Sequence, residues 1–248
     1  MHRCSKVTAA HGRGTDVGNM TKKTRVLLWI GAGLLAVGGT SLIVGPYLYA
    51  EYAASVVSPP PSLSGAPSTG STVDVDHLSG EWTIGPGSFA GYRVKEVLAG
   101  QHLTVTGRTS QVTGSLTVRN LTLTAARVTV DVGSIATPEP ARDAYFRGTA
   151  LEVGKFPTAV FTLTKPVTAA RPTPGKPQSF TATGMLQMHG VTRTVTATLN
   201  AALTDNGGQL SGRIPITFND FGVQAPNLGF VSVENSGSVE FLLNLVRK

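Results

Sequence analysis

From about Glu81 to Lys248 the chain is a succession of short runs in which apolar and polar residues alternate, among them "GYRVKEV", "HLTVTGRT", "GSLTVRN", "ARVTVDVGS", "AVFTLTKPV", "VTRTVTATLNAAL" and "SVEFLLNLV". Each is rich in Thr, Val, Leu or Phe and is bounded by Gly, Pro, Asn or Asp. A period of two over four to eight residues exposes one face of a strand and buries the other. About eight to ten such strands at regular spacing predict an all-β fold, an antiparallel sandwich or barrel. One segment, "PEPARDAYFRGTALEVGKFP", breaks the alternation. After Pro140, residues Ala141 to Arg147 predict a short helix, with Glu139 at its start and Arg147 at its end suiting the helix dipole.

The stretch "GMLQMHGVTRTVTATL" (184–199) sets a register. With His189-Gly190 at the centre of a two-residue turn, Met188 faces Val191, Leu186 faces Arg193, Gly184 faces Val195, Ala182 faces Ala197 and Phe180 faces Leu199. One face is then apolar apart from Arg193, and the other is mostly Thr, so the apolar face points inward. His189 reads as a turn residue remote from the interior rather than as a catalyst. Arg193 is the more informative side chain. It is either a rim arginine whose guanidinium reaches water, or a cation at the mouth of the barrel that meets an anionic head group.

The region before the β domain has three textures. Residues 1–25 carry six basic residues against Asp16, a net +5 out of the chain's +7, so the high pI belongs mostly to a tail and speaks weakly for nucleic acid. Residues 26–50 are 25 residues without a charge. As a helix they would measure roughly 37 Å against about 30 Å of hydrocarbon, which predicts one transmembrane span. Trp29 near one end and Tyr47, Tyr49 and Tyr52 near the other suit the two interfaces, and the basic flank predicts a cytoplasmic N-terminus with everything after the span outside the cytoplasm. The uninterrupted length favours a retained signal anchor over a cleaved signal peptide. Met20, which opens "MTKKTR", is an alternative start. Residues 51–80 are dominated by Pro, Ser, Gly and Thr and predict a linker that keeps the β domain, 81–248, close to the membrane.

No catalytic or metal constellation accompanies this organisation. A single cysteine, Cys4, and three histidines after the span (His77, His102 and His189) give neither a zinc site nor a disulfide framework, and no H-E-x-x-H, G-x-S-x-G or P-loop pattern is present. Asp143 beside Arg142 reads as a structural ion pair or a cap, and Asp220 as a turn residue. The expectation is a protein that is not an enzyme and carries no cofactor.

Two central segments, "RDAYFRGTALEVGKFPTAVFTLTKPV" (142–167) and "GMLQMHGVTRTVTATL", resemble the YceI-like family, as do "WTIGPGSFAGYRVKE" (82–96) and "NDFGV" (219–223), in the same order. The resemblance implies a lipocalin-like antiparallel β-barrel of about eight strands. It also implies an internal apolar cavity that binds a polyisoprenoid-type lipid, usually outside the cytoplasm. By strand alternation the ligand-binding wall is expected to include Val94, Phe161, Leu163, Phe180, Leu186, Val195, Leu199, Ile216, Val239 and Phe241, with Arg193 at the rim.

Magnitude narrows the role. Burying a forty-carbon chain from water would yield roughly 30 kcal/mol at about 0.8 per methylene, beyond the practical ceiling of about 20 for non-covalent binding. The donor of such a ligand is therefore a bilayer, and the reading is a membrane-tethered, extracytoplasmic lipid holder or carrier. Two alternatives stay open: a non-catalytic envelope interaction or assembly module with a filled core, and an accessory protein for isoprenoid-quinone redox chemistry. The latter calls for a polar titratable cluster inside the barrel, which the sequence does not clearly show.

Overall fold

The structure, a computed structural model, describes residues 45, 47–63, 78–172, 176–204 and 207–248. Nearly all of the expected cytoplasmic tail and membrane span (1–44 and 46), and much of the expected linker (64–77), lie outside the described residues. No helix among the described residues is long and apolar enough to cross a membrane.

Eleven strand segments occupy eight positions around a closed antiparallel barrel. β1 (Gly80–Ile84) and β2 (Phe89–Leu98) both pair with β11 (Val231–Arg247), one above the other, so they act as one interrupted strand. β3 (Gln101–Thr109) and β4 (Val112–Arg119) pair in the same way with β2 and β1. The ring continues through β5 (Thr122–Asp131), β6 (Thr158–Leu163), β8 (Gln178–Met188), β9 (Val191–Thr204) and β10 (Gly207–Thr217) back to β11, while the two-residue β7 (Val167–Thr168) adds to β5. Closure removes the edges that would otherwise pair with other chains. A barrel of this size encloses little more than its own side chains or one slender ligand.

Three of the hairpins are closed by consecutive residues with positive φ: Ala99-Gly100, Asn120-Leu121 and His189-Gly190. This is the turn geometry that matches strand twist. The β8–β9 register is the one expected, from Met188 opposite Val191 to Phe180 opposite Leu199. Ala182, Leu186, Met188, Ala197 and Leu199 are buried, and the Thr residues between them are mostly exposed. The expected short helix is present as α2 (Pro140–Tyr145), with proline in its first turn, and runs into a single π turn, Phe146–Ala150.

Residues 47–55 form a helix, α1. The expected linker begins inside it, and the part that follows is docked rather than free. The Ser58 amide donates to Thr106 Oγ1 at 3.1 Å, its carbonyl accepts from Arg93 Nη2 at 2.7 Å, and the Pro59 carbonyl accepts from Arg108. A proline run has no N–H to offer, so its carbonyls are the groups a neighbour can hold. Arg93 is itself fixed by Glu240 at 2.7 Å, and Arg108 lies over the Phe89 ring at 4.4 Å.

Candidate functional site

The barrel axis is lined by three apolar chambers that share walls. A lower chamber of about 170 Å³ lies near the β4–β5 turn, between Trp82, Leu121, Val167, Phe180, Leu203 and Leu245. A neck of about 80 Å³ follows, and Leu116, Leu123 and Leu210 line both. An upper chamber of about 160 Å³ lies under the β2–β3 and β8–β9 turns, sharing Ala90, Val130, Ala159 and Val239 with the neck.

Aromatic residues line this path without filling it, and glycine explains how. A methyl group added at Gly184 would meet the Phe161 ring at 2.4 Å, one at Gly212 the Phe241 ring at 2.7 Å, and one at Gly107 the Tyr92 ring at 2.5 Å. Each ring therefore lies flat over a glycine of the adjoining strand instead of projecting to the axis. The bulk is taken up by the wall, and a lumen remains.

Nine of the ten apolar residues expected to form the wall line these chambers. Phe180 belongs to the lower one, and Phe161, Leu163, Leu186, Leu199, Val239 and Phe241 to the neck. Val94 and Ile216 belong to the upper one, which Val239 also lines. Val195 packs on the core but lines an outer groove instead. Arg193 differs more. It pairs with Leu186 as expected, yet its side chain is exposed and lines the outer groove with Arg213 and Asp220. The cause is tertiary: β9 and β10 pair only as far as Thr198–Arg213. Beyond that point the strands part, the 3-10 turn Phe218–Phe221 fills the gap with the buried Phe221 ring, and Arg193 reaches water beside it.

The charged groups in the upper chamber are other residues. Glu96, 5% exposed, accepts from Arg142 Nη2 at 3.1 Å, and both line the chamber. Burial works against the Arg142 charge, but Glu96 and a hydrogen bond with Tyr49 outweigh it, and its pKa lies above the usual value. Tyr92 stacks on Phe146, centroids 5.1 Å apart. Burial pushes its phenol well above the ordinary value; nearby Arg142 lowers it, while Asp143 and Glu96 raise it. Tyr92 therefore stays protonated and is a hydrogen-bond donor at every physiological pH. Asp143 does not pair with Arg142: its carboxylate accepts from the Thr137 amide at 3.0 Å and hydroxyl at 2.8 Å, which caps the loop before α2. The polar cluster inside the barrel that the sequence did not clearly show is thus Tyr92, Glu96 and Arg142; the phenol and the guanidinium both hold their protons, so it is a set of hydrogen-bond donors beside an ion pair rather than the proton-exchanging group that quinone redox chemistry calls for. Its one sequence signal was Glu96, a carboxylate at an inward position of β2.

His189 is a turn residue, as expected, and it is also a clasp. Nδ1 lies 3.1 Å from the Phe221 carbonyl, Nε2 lies 3.3 Å from Glu152 Oε2, and the ring meets Phe156 edge-on at 5.0 Å. Among the described residues no group of three or more His, Cys, Asp or Glu side chains is placed to hold a metal ion.

A closed eight-stranded antiparallel barrel with an apolar axial lumen and a short helix is the lipocalin-like architecture. Residues 82–245 match the YceI-like domain, and the chain belongs to that family. Among solved structures it is similar to a polyisoprenoid-binding domain from Saccharophagus degradans implicated in plant cell wall breakdown, at 18% identity and a TM-score of 0.54 over 67% of this chain and 98% of that one. It is also similar to Burkholderia cenocepacia BcnA (20%, 0.47, 61% and 94%) and to a Campylobacter jejuni YceI protein (15%, 0.39, 57% and 84%). At 18% identity the likeness to the first of these is one of fold alone. No curated protein matches the chain at a significant level.

Proposed function

We propose that this protein is a non-catalytic lipid-binding barrel, held at the outer face of a membrane by residues 26–50, that carries or buffers a long-chain isoprenoid-type lipid. The observation that carries the reading is the run of three wall-sharing apolar chambers with a buried Glu96–Arg142 pair and a protonated Tyr92 at one end. A segment of the lipid's apolar chain occupies the lower chamber and the neck. Its polar head lies in the upper chamber, where the Arg142 guanidinium and the Tyr92 hydroxyl offer donors to a phosphate or carbonyl oxygen. Exchange with a bilayer moves an apolar chain from one apolar phase to another, so the step can run near neutrality in either direction, as a carrier requires.

The test is organic extraction of protein purified from its native membrane, followed by mass spectrometry. Wild type yields a long-chain lipid in near-stoichiometric amount. Leu186→Trp, which fills the neck, yields little while keeping a native circular dichroism spectrum. Wild-type protein that releases no long-chain lipid overturns the reading and favours a barrel acting through its surface.

A further inference from the structure

The upper end of the barrel carries an apolar tip that the lumen does not use. Between the 3-10 turn and β11 the chain makes a tight loop in which the Val233 amide donates to the Pro226 carbonyl at 3.0 Å and the Leu228 amide to the Val231 carbonyl at 2.8 Å. Leu228, Gly229 and Phe230 form its apex. Phe230 is 66% exposed, the most exposed large apolar residue among the described ones, and Leu228 is 56% exposed. The apex is braced, since the Ala99 amide of the β2–β3 turn donates to the Phe230 carbonyl at 2.8 Å. No residue from Phe221 to Val233 carries a charge. The base of the same loop, Ala225 and Pro226, forms part of the upper chamber wall.

A second observation, independent of the first, concerns the path of the chain onto the barrel. Tyr49 lies beside Arg142, which lines the upper chamber, and Tyr49, Tyr52 and Val56 border a cleft with Thr104, Pro138 and Arg142. By Ser58 and Pro59 the chain has moved along β3 to Thr106 and Arg108, away from the β2–β3 turn. The segment that follows the apolar run 26–50 therefore meets the barrel at its upper end and runs downward. Leu48 and Tyr52 are 62% and 50% exposed there.

We propose that the Leu228–Phe230 apex is a membrane-docking tip that inserts into the lipid surface in which residues 26–50 are anchored, so that the upper chamber faces the bilayer. This rests on the tethered lipid-carrier reading and adds the orientation and the contact surface. A bilayer fits the tip better than a protein does. A specific protein interface needs about 800 Å² per partner, which two side chains do not supply, and an uncharged apex offers no ion pair to set specificity. Two apolar side chains bind a membrane weakly by themselves, but a tether raises their effective concentration enough to populate the docked state.

The experiment uses the full chain with Cys4→Ser, reconstituted into phosphatidylcholine/phosphatidylglycerol vesicles. An environment-sensitive fluorophore is attached at Asn227→Cys beside the apex or, separately, at Asn120→Cys in the exposed β4–β5 turn at the other end. Flotation shows whether the protein stays with the vesicles, and doxyl-labelled phosphatidylcholine reports depth. The expected result is flotation in both cases, quenching severalfold greater at position 227 than at 120, and loss of that difference in Leu228→Ser/Phe230→Ser. Vesicle-bound protein with equal quenching at the two positions, or greater quenching at 120, overturns the docking tip and leaves the tether standing. A fluorescence shift at 227 without doxyl quenching, together with a cross-linked dimer, assigns the tip to a second copy and also overturns it. Protein that does not float overturns the tethered reading and the tip together.

Discussion

Gly107 shows how a single residue controls the space available to a ligand. Its missing side chain is the seat of the Tyr92 ring, and the nearest atoms a methyl group would meet are Tyr92 Cε1 and Cζ at 2.5 and 2.8 Å and Ile135 Cγ2 at 3.0 Å. All are side-chain atoms, so Gly107→Ala displaces the ring toward the upper chamber rather than breaking the sheet. Overpacking of this kind costs about 1–3 kcal/mol. The variant is expected to melt at lower temperature and to retain less lipid in a paired melting and extraction experiment, whereas Arg193→Ala, in the outer groove, leaves lipid content unchanged. Glu152 supplies a pH signature. A hydrogen bond from Lys155, and after it one from His189, holds its carboxyl below the ordinary value of about 4.3. A depressed folded-state pKa stabilises above the unfolded value, and that contribution is lost as pH falls through the folded one. The wild-type melting temperature should therefore fall more steeply than that of Glu152→Gln as pH drops below about 4.3, by a small margin because the carboxylate is solvent-accessible.

At the scale of elements, the segment 56–63 changes what the Pro-rich stretch means. Its composition reads as a free tether, yet Ser58 and Pro59 are held by Thr106, Arg93 and Arg108. Thr106 is buried, so Thr106→Val keeps the shape and removes only the acceptor for the Ser58 amide. A lost hydrogen bond of this type costs about 1 kcal/mol, which corresponds to roughly fivefold in the docking equilibrium. Hydrogen exchange at the Ser58 amide should accelerate by about that factor while exchange in the β8–β9 hairpin is unaltered. The hairpin itself was readable in advance, because a two-residue turn ties register to sequence numbering and the Val/Thr alternation assigns the faces. Arg193 shows the limit. Its parity was correct, but β9 has lost its β10 neighbour at that height, and parity cannot report a strand that parts from its partner.

For the molecule as a whole, lumen and stability are coupled. A ligand that binds only the folded barrel stabilises it by mass action. Delipidated wild type and Leu186→Trp should therefore lack a stabilisation that lipid-loaded wild type has, and re-addition of vesicle lipid should raise the melting temperature of the former alone. The same coupling explains why a wall that is mostly apolar tolerates the Glu96–Arg142 pair. The buried Glu96 carboxylate would be expensive to strand singly but is sustained by its hydrogen bond to the partly buried Arg142, and Arg142→Ala would leave it unpaired at a cost of up to about 3 kcal/mol.

Strand alternation, turn chemistry and the quoted motifs were enough to read an antiparallel barrel, the family, the β8–β9 register and the short helix, because each is encoded within a few residues of chain. Tertiary structure alone decided the rest. Which cation shares the lumen depends on where α2 lays Arg142 against Glu96, 46 residues away in the chain. The lumen itself exists because rings on one strand lie over glycines on the next, a complementarity between strands that no single run displays. The part of the linker that is docked follows from Arg93, Thr106 and Arg108 presenting their polar groups where the chain passes. These are contacts between distant segments, and they are set by closure of the barrel rather than by local pattern.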